Sequence, residues 1–125
     1  MPAGPSRTGV SNDPSVTEQF VIVLSTFPDV ETARKISREL VDSALVACVN
    51  IIPAAESIYY WKGKVETSAE SLAIFKLTAA RYSDFESRLR ELHPYDVPEI
   101  VRLNIAGGSV EYLRWIGESC SRSLI

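Results

Sequence analysis

Apolar positions along the chain fall into two alternating periods. Phe20-Val21-Ile22-Val23-Leu24 is a short continuous apolar run rich in β-branched residues and ended by Phe27-Pro28, which predicts a buried central strand. After it Val30, Ala33, Ser37, Leu40, Val41 and Ala44 share one side at helical spacing, with Pro28 suited to a first turn and Asp29 and Glu31 at the positive end. The expected helix runs from about 28 to 43. Leu45 to Ile52 is apolar again, Pro53 interrupts it, and Ser57-Ile58-Tyr59-Tyr60-Trp61 resumes with aromatic strand formers. A proline there implies a bulge, a bend or an edge. Lys62-Gly63-Lys64 is a turn, and the chain returns from Val65 to Leu77, so this region reads as one long β-hairpin whose aromatic tip extends past the core.

A second helix is signalled by Ser83-Asp84-Phe85-Glu86, which matches a capping box, with Phe85, Leu89 and Leu92 on its inward face and His93-Pro94 at its end. Val101, Leu103 and Ile105 then alternate with Arg102 and Asn104 as a half-exposed strand, Gly107-Gly108 breaks it, and Ser109 caps a last helix carrying Val110, Tyr112, Leu113 and Ile116. The order strand, helix, strand, strand, helix, strand, helix is the α+β, ferredoxin-like βαββαβ arrangement plus a C-terminal helix. Its two crossovers are expected to be right-handed. Helices on one face of the antiparallel sheet leave the other face apolar, and neighbouring copies of the chain are the simplest cover for it.

Composition narrows the setting. The 125 residues suffice for one core, and the expected division is a disordered arm over 1–17, rich in Pro, Gly and Ser, followed by one domain over 18–125. The arm lacks the basic and apolar regions of a secretion signal, and no apolar stretch reaches membrane-spanning length, so a cytoplasmic protein with no membrane partner is expected. Thirteen Lys and Arg against sixteen Asp and Glu give a net charge of -3, and the aromatic and basic signature of RNA-recognition sheets is missing; both argue against nucleic acid as a partner. The loop Ser25-Thr26-Phe27-Pro28-Asp29 offers no glycine-rich phosphate cradle, and no nucleophile stands with a recognisable base, so catalysis is not expected. Two cysteines, Cys48 and Cys120, make neither a disulfide framework nor a CxxC pair.

The segments Ala47-Cys48-Val49-Asn50, Tyr59-Tyr60-Trp61-Lys62-Gly63-Lys64-Val65-Glu66, Glu70, Lys76 and His93-Pro94-Tyr95-Asp96-Val97-Pro98-Glu99-Ile100 together resemble the CutA family of divalent-cation tolerance proteins, over roughly residues 20 to 117. That resemblance implies a homotrimer in the manner of the PII signalling proteins, a response to metal ions, and binding of copper or another divalent ion through cysteine sulfur. Cys48 stands at the family's cysteine position. Ser25 and Arg88 occupy places where other members carry further cysteines, which thins any thiolate site.

The candidate metal ligands are therefore Cys48, His93, Asp96 and Glu99. Each has a structural alternative: a buried thiol for Cys48, a helix C-cap for His93, and turn chemistry for Asp96 and Glu99. Tyr59, Tyr60 and Trp61 would pack on a neighbouring subunit or line a cleft, and Glu70 and Lys76 would form an intersubunit ion pair or a charged pair in that cleft. The rival function is a PII-like small-ligand sensor or a trimeric scaffold for a partner protein.

Overall fold

A computed structural model describes residues 19–124, so the expected arm over 1–17 lies outside the described residues. Seven elements follow the expected order: β1 (Phe20–Phe27), α1 (Val30–Asp42), β2 (Cys48–Trp61), β3 (Lys64–Thr78), α2 (Tyr82–Leu92), β4 (Val101–Asn104) and α3 (Val110–Ser121). The strands form one antiparallel sheet in the order β2-β3-β1-β4, the ferredoxin-like arrangement.

Period-two alternation divides the residues of β1 and β3 between two faces. Val21, Val23, Ser25 and Phe27 of β1, with Ala73, Phe75 and Leu77 of β3, are wholly buried on the face that α1 and α2 cover, where Phe75 meets Phe85 edge-on at 5.1 Å. α1 turns Ala33, Ile36, Ser37 and Leu40 inward. The other face carries Ile22, Leu24, Leu72 and Ile74, which stay half-buried. There α3 crosses only one end, bringing Tyr112 to Lys76 and Leu113 beside Phe20.

Local details depart from the sequence expectations in two helices. Pro28 and Asp29 precede α1 rather than begin it, because extended Asp29 is the N-cap and its Oδ1 accepts from the Thr32 amide at 2.7 Å. The capping box expected at Ser83 does not form. A 3-10 turn over Ala79–Arg81 delivers the chain to Tyr82 already in helical conformation, so Ser83 falls inside α2 and is exposed. The strand expected from Leu45 begins at Cys48, after a turn in which Ala44 adopts φ 60°.

Pro53 produces the bulge, between Ile52 and Ala55, and Ser71 Oγ donates to its carbonyl at 2.9 Å. Beyond the bulge the hairpin runs to a two-residue turn in which Lys62 and Gly63 both have positive φ, the geometry that matches strand twist. Its end is largely solvent-facing: Tyr60 is 75% exposed and Trp61 58%.

Ser25 Oγ is buried with no hydrogen-bond partner among the described residues. An unpaired hydroxyl costs about 1 to 3 kcal/mol relative to an apolar atom in the same space. Ser25→Ala is therefore expected to raise the thermal midpoint or leave it unchanged, whereas Phe75→Ala, which empties the centre of the core, is expected to cost about 3 to 5 kcal/mol in chemical denaturation.

Candidate functional site

The segment after α2 and the base of the hairpin meet in a polar cluster. His93 closes α2, its amide bonding the Leu89 carbonyl, and its ring lies flat on Phe27 with centroids 4.6 Å apart. Both ring nitrogens have backbone partners: Nε2–H donates to the Thr26 carbonyl at 2.9 Å, and Nδ1 accepts from the Tyr95 amide at 3.1 Å. This arrangement holds one neutral tautomer. Burial lowers the His93 pKa below its ordinary 6.5, against the opposing pull of the Thr26 bond and the Glu70 charge.

Tyr95, placed by the His93 contact, donates its hydroxyl to Glu70 Oε2 at 2.8 Å. Burial first, and then that bond to a carboxylate, pushes its phenol pKa well above the usual range. The α1 cap Asp29 adds a smaller negative field to the same hydroxyl. The Thr32 amide in turn holds the Asp29 carboxyl below its ordinary value. Tyr95 was not among the residues expected to act; its signal was its place between His93-Pro94 and Asp96 in the loop.

Cys48 lies away from this cluster along the sheet, on the same sheet face that carries Glu70. It is paired across strands with Lys76, so the two side chains emerge on one face, and its Sγ lies 3.9 Å from Asn50 Oδ1. Lys76 Nζ is 3.4 Å from the Tyr112 hydroxyl. Glu70 and Lys76 therefore serve separate neighbours, six residues apart along β3 or about 20 Å, and do not form a pair with each other. Asp96 and Glu99 are exposed in the loop before β4, while Tyr59, Tyr60 and Trp61 stand on the outer hairpin.

The four expected ligands do not converge within one chain. No group of three or more His, Cys, Asp or Glu side chains able to hold a metal ion forms among the described residues. His93 has no free lone pair to offer, since one nitrogen carries the proton given to Thr26 and the other is taken by Tyr95. Cys48 faces an ammonium, which repels a divalent cation. The donors of a single chain therefore do not fit a resident divalent ion.

The family model described as CutA1 divalent ion tolerance protein matches residues 21–119. This chain belongs to that family. It is 47% identical over 98 residues to the "Divalent-cation tolerance protein CutA" of Thermus thermophilus, covering 78% of this chain and 95% of that one. It is 38% identical over 109 residues to the rice "Protein CutA 1, chloroplastic", covering 87% of this chain but 62% of the longer relative. The crystal structure of CutA from Xylella fastidiosa superimposes with a TM-score of 0.79 at 39% identity, over 82% of this chain and 98% of that one. No helix among the described residues is long and apolar enough to cross a membrane.

The buried imidazole gives a pH dependence whose sign follows from its lowered pKa. The unfolded chain takes up a proton near pH 6.5 before the folded one does, so His93 contributes stability fully above that pH, and the contribution is lost as pH falls below it. Denaturation midpoints measured across that range are expected to drop toward acid, with the slope reduced in His93→Gln. Tyr95→Phe is expected to cost about 1.5 to 3 kcal/mol through the lost bond to Glu70.

Proposed function

We propose that this protein serves divalent-cation tolerance as a homotrimer that binds and does not catalyse, with contacts to copper or another divalent ion formed where subunits meet. The observation that carries the reading is the uncovered apolar surface. On the open sheet face Ile52, Val101 and Leu103 are each close to half exposed, and on the hairpin Ile58, Tyr60, Trp61 and Val65 are more exposed still. Exposed apolar surface of this extent marks an interface, and a hairpin overrunning its own core supplies an arm for reaching a second copy. Threefold symmetry would also bring together donors that one chain keeps apart, among them Cys48, Asp96 and Glu99. The commitment of the lone histidine to two backbone partners favours binding over proton transfer. Neither Cys48 nor Cys120 forms a disulfide among the described residues, which suits a reducing compartment, and we place the protein in the cytoplasm.

The polar cluster supports a second reading, a PII-like sensor or a scaffold for a partner protein. Glu70 and Tyr95 meet at the base of the hairpin, where a small ligand lodged between subunits would find a carboxylate and a phenol.

Light scattering at micromolar concentration is expected to give about three times the 13.8 kDa chain mass; a monomer overturns the assembly. Trp61→Ala is expected to weaken assembly by about 2 kcal/mol or more while leaving the subunit's circular dichroism intact. Calorimetric titration of the assembled protein with copper should show stoichiometric binding that Cys48→Ala or the pair Asp96→Asn, Glu99→Gln removes. Absence of binding moves the sensor reading ahead.

A further inference from the structure

Arg34, Arg88 and Arg90 pair with carboxylates on α1 and α2, and Arg81 and Arg122 donate to the carbonyls of helix ends. Lys76 has no comparable partner. Among the described residues its ammonium makes no ion pair and meets the Tyr112 hydroxyl at 3.4 Å, a long hydrogen bond, with the ring centroid 5.5 Å away. The side chain is nevertheless half-buried. Register places it between Ile22 and Cys48 on the open sheet face, which another copy covers in the proposed homotrimer. A charge taken out of water is costly unless an opposite charge comes with it, so a purely apolar cover over Lys76 would oppose assembly.

Alternation along β3 puts Glu66, Glu70 and Lys76 on one face. Glu70 is taken by the Tyr95 hydroxyl. Glu66 stands across from Tyr59, half-buried, with no ion pair among the described residues, not even to Lys64 on the same face at the turn. Glu56, the other acid of the outer hairpin, lies across from Ala69 and so points to the opposite face. One strand face therefore carries two unpaired charges of opposite sign, ten residues or about 33 Å apart, which cannot meet within one chain. A ring of copies joins two different patches of the same chain, and a positive end and a negative end on the face turned to a neighbour are complementary in that sense.

We propose that Lys76 of one copy forms an ion pair with Glu66 on the hairpin of a neighbouring copy. The arm that carries Tyr59 and Trp61 then also brings the counter-charge for the face it covers. The pair rests on the homotrimer reading and adds to it the register in which the copies meet.

Sedimentation of the full chain from nanomolar to micromolar concentration reads the association, with circular dichroism as the check on the subunit fold. Lys76→Glu and Glu66→Lys should each weaken association at least about thirtyfold, and the double exchange Lys76→Glu with Glu66→Lys should recover most of the loss. Because Lys76→Glu also disturbs the contact to Tyr112, a neutral cycle of Lys76→Met and Glu66→Gln gives a second measure: the double variant should lose about tenfold less than the product of the two single losses. A trimeric parent protein whose charge reversals assemble normally, or whose neutral cycle is additive, would overturn the pair and leave the trimer standing. Recovery of Lys76→Glu by Glu56→Lys in place of Glu66→Lys would overturn the assignment to Glu66. A parent protein that stays monomeric removes the homotrimer and the pair with it.

Discussion

A sheet that is apolar on both faces has to be covered on both, and this chain covers one. α1 and α2 seal the side carrying Val21, Val23, Phe75 and Leu77, while α3 reaches only the end of the other side near Phe20 and Lys76. The remainder, Ile22, Leu24, Leu72 and Ile74 flanked by Ile52, Val101 and Leu103, stays partly open to water. At about 25 cal/mol per Å² of apolar area, leaving such a surface wet forgoes a substantial share of the net stability of a small domain. The hairpin adds to the same imbalance, because Ile58, Tyr60, Trp61 and Val65 on its outer half are largely exposed.

The polar cluster also depends on the frame. His93 is pinned because β1 ends at Phe27 beneath α2, so the ring finds an aromatic plane below and the Thr26 carbonyl at its edge. Fixing that ring fixes Tyr95, and Tyr95 ties the loop to Glu70 at the root of the hairpin. The single histidine thus acts as a joint between core and arm. A metal would have to displace the Tyr95 amide from Nδ1 to use it, and with it the loop that ties Tyr95 to Glu70.

Much of the fold was legible in the sequence because it is written in local pattern. A continuous apolar run marked β1, the return of the chain after Lys62-Gly63-Lys64 marked β3, alternation of period two marked β4, helical spacing marked α1, and Pro53 signalled an irregularity that is a bulge. Helix starts were less legible, since the N-cap at Asp29 is set by extended backbone leaving β1 and the idle Ser83 by a 3-10 turn ahead of α2, neither of which a short motif encodes. The site was the least legible part. The partners of His93 and Glu70 lie 67 and 25 residues away in sequence, and only the sheet register brings them into contact. The same register puts Cys48 opposite Lys76 and on the far face from His93, so residues that look like companions in a family motif part company in space.

One chain leaves its sheet unfinished, and in the proposed homotrimer other copies finish it. Amide hydrogen exchange resolved along the chain tests this directly, because the outward amides of the edge strands β2 and β4 have no partner within the sheet order β2-β3-β1-β4. The account predicts that these amides and those of the hairpin are protected at micromolar concentration and lose protection on dilution, while β1 and β3 stay protected throughout. Rapid exchange of both edges at every concentration, beside a stable β1–β3 core, would contradict it.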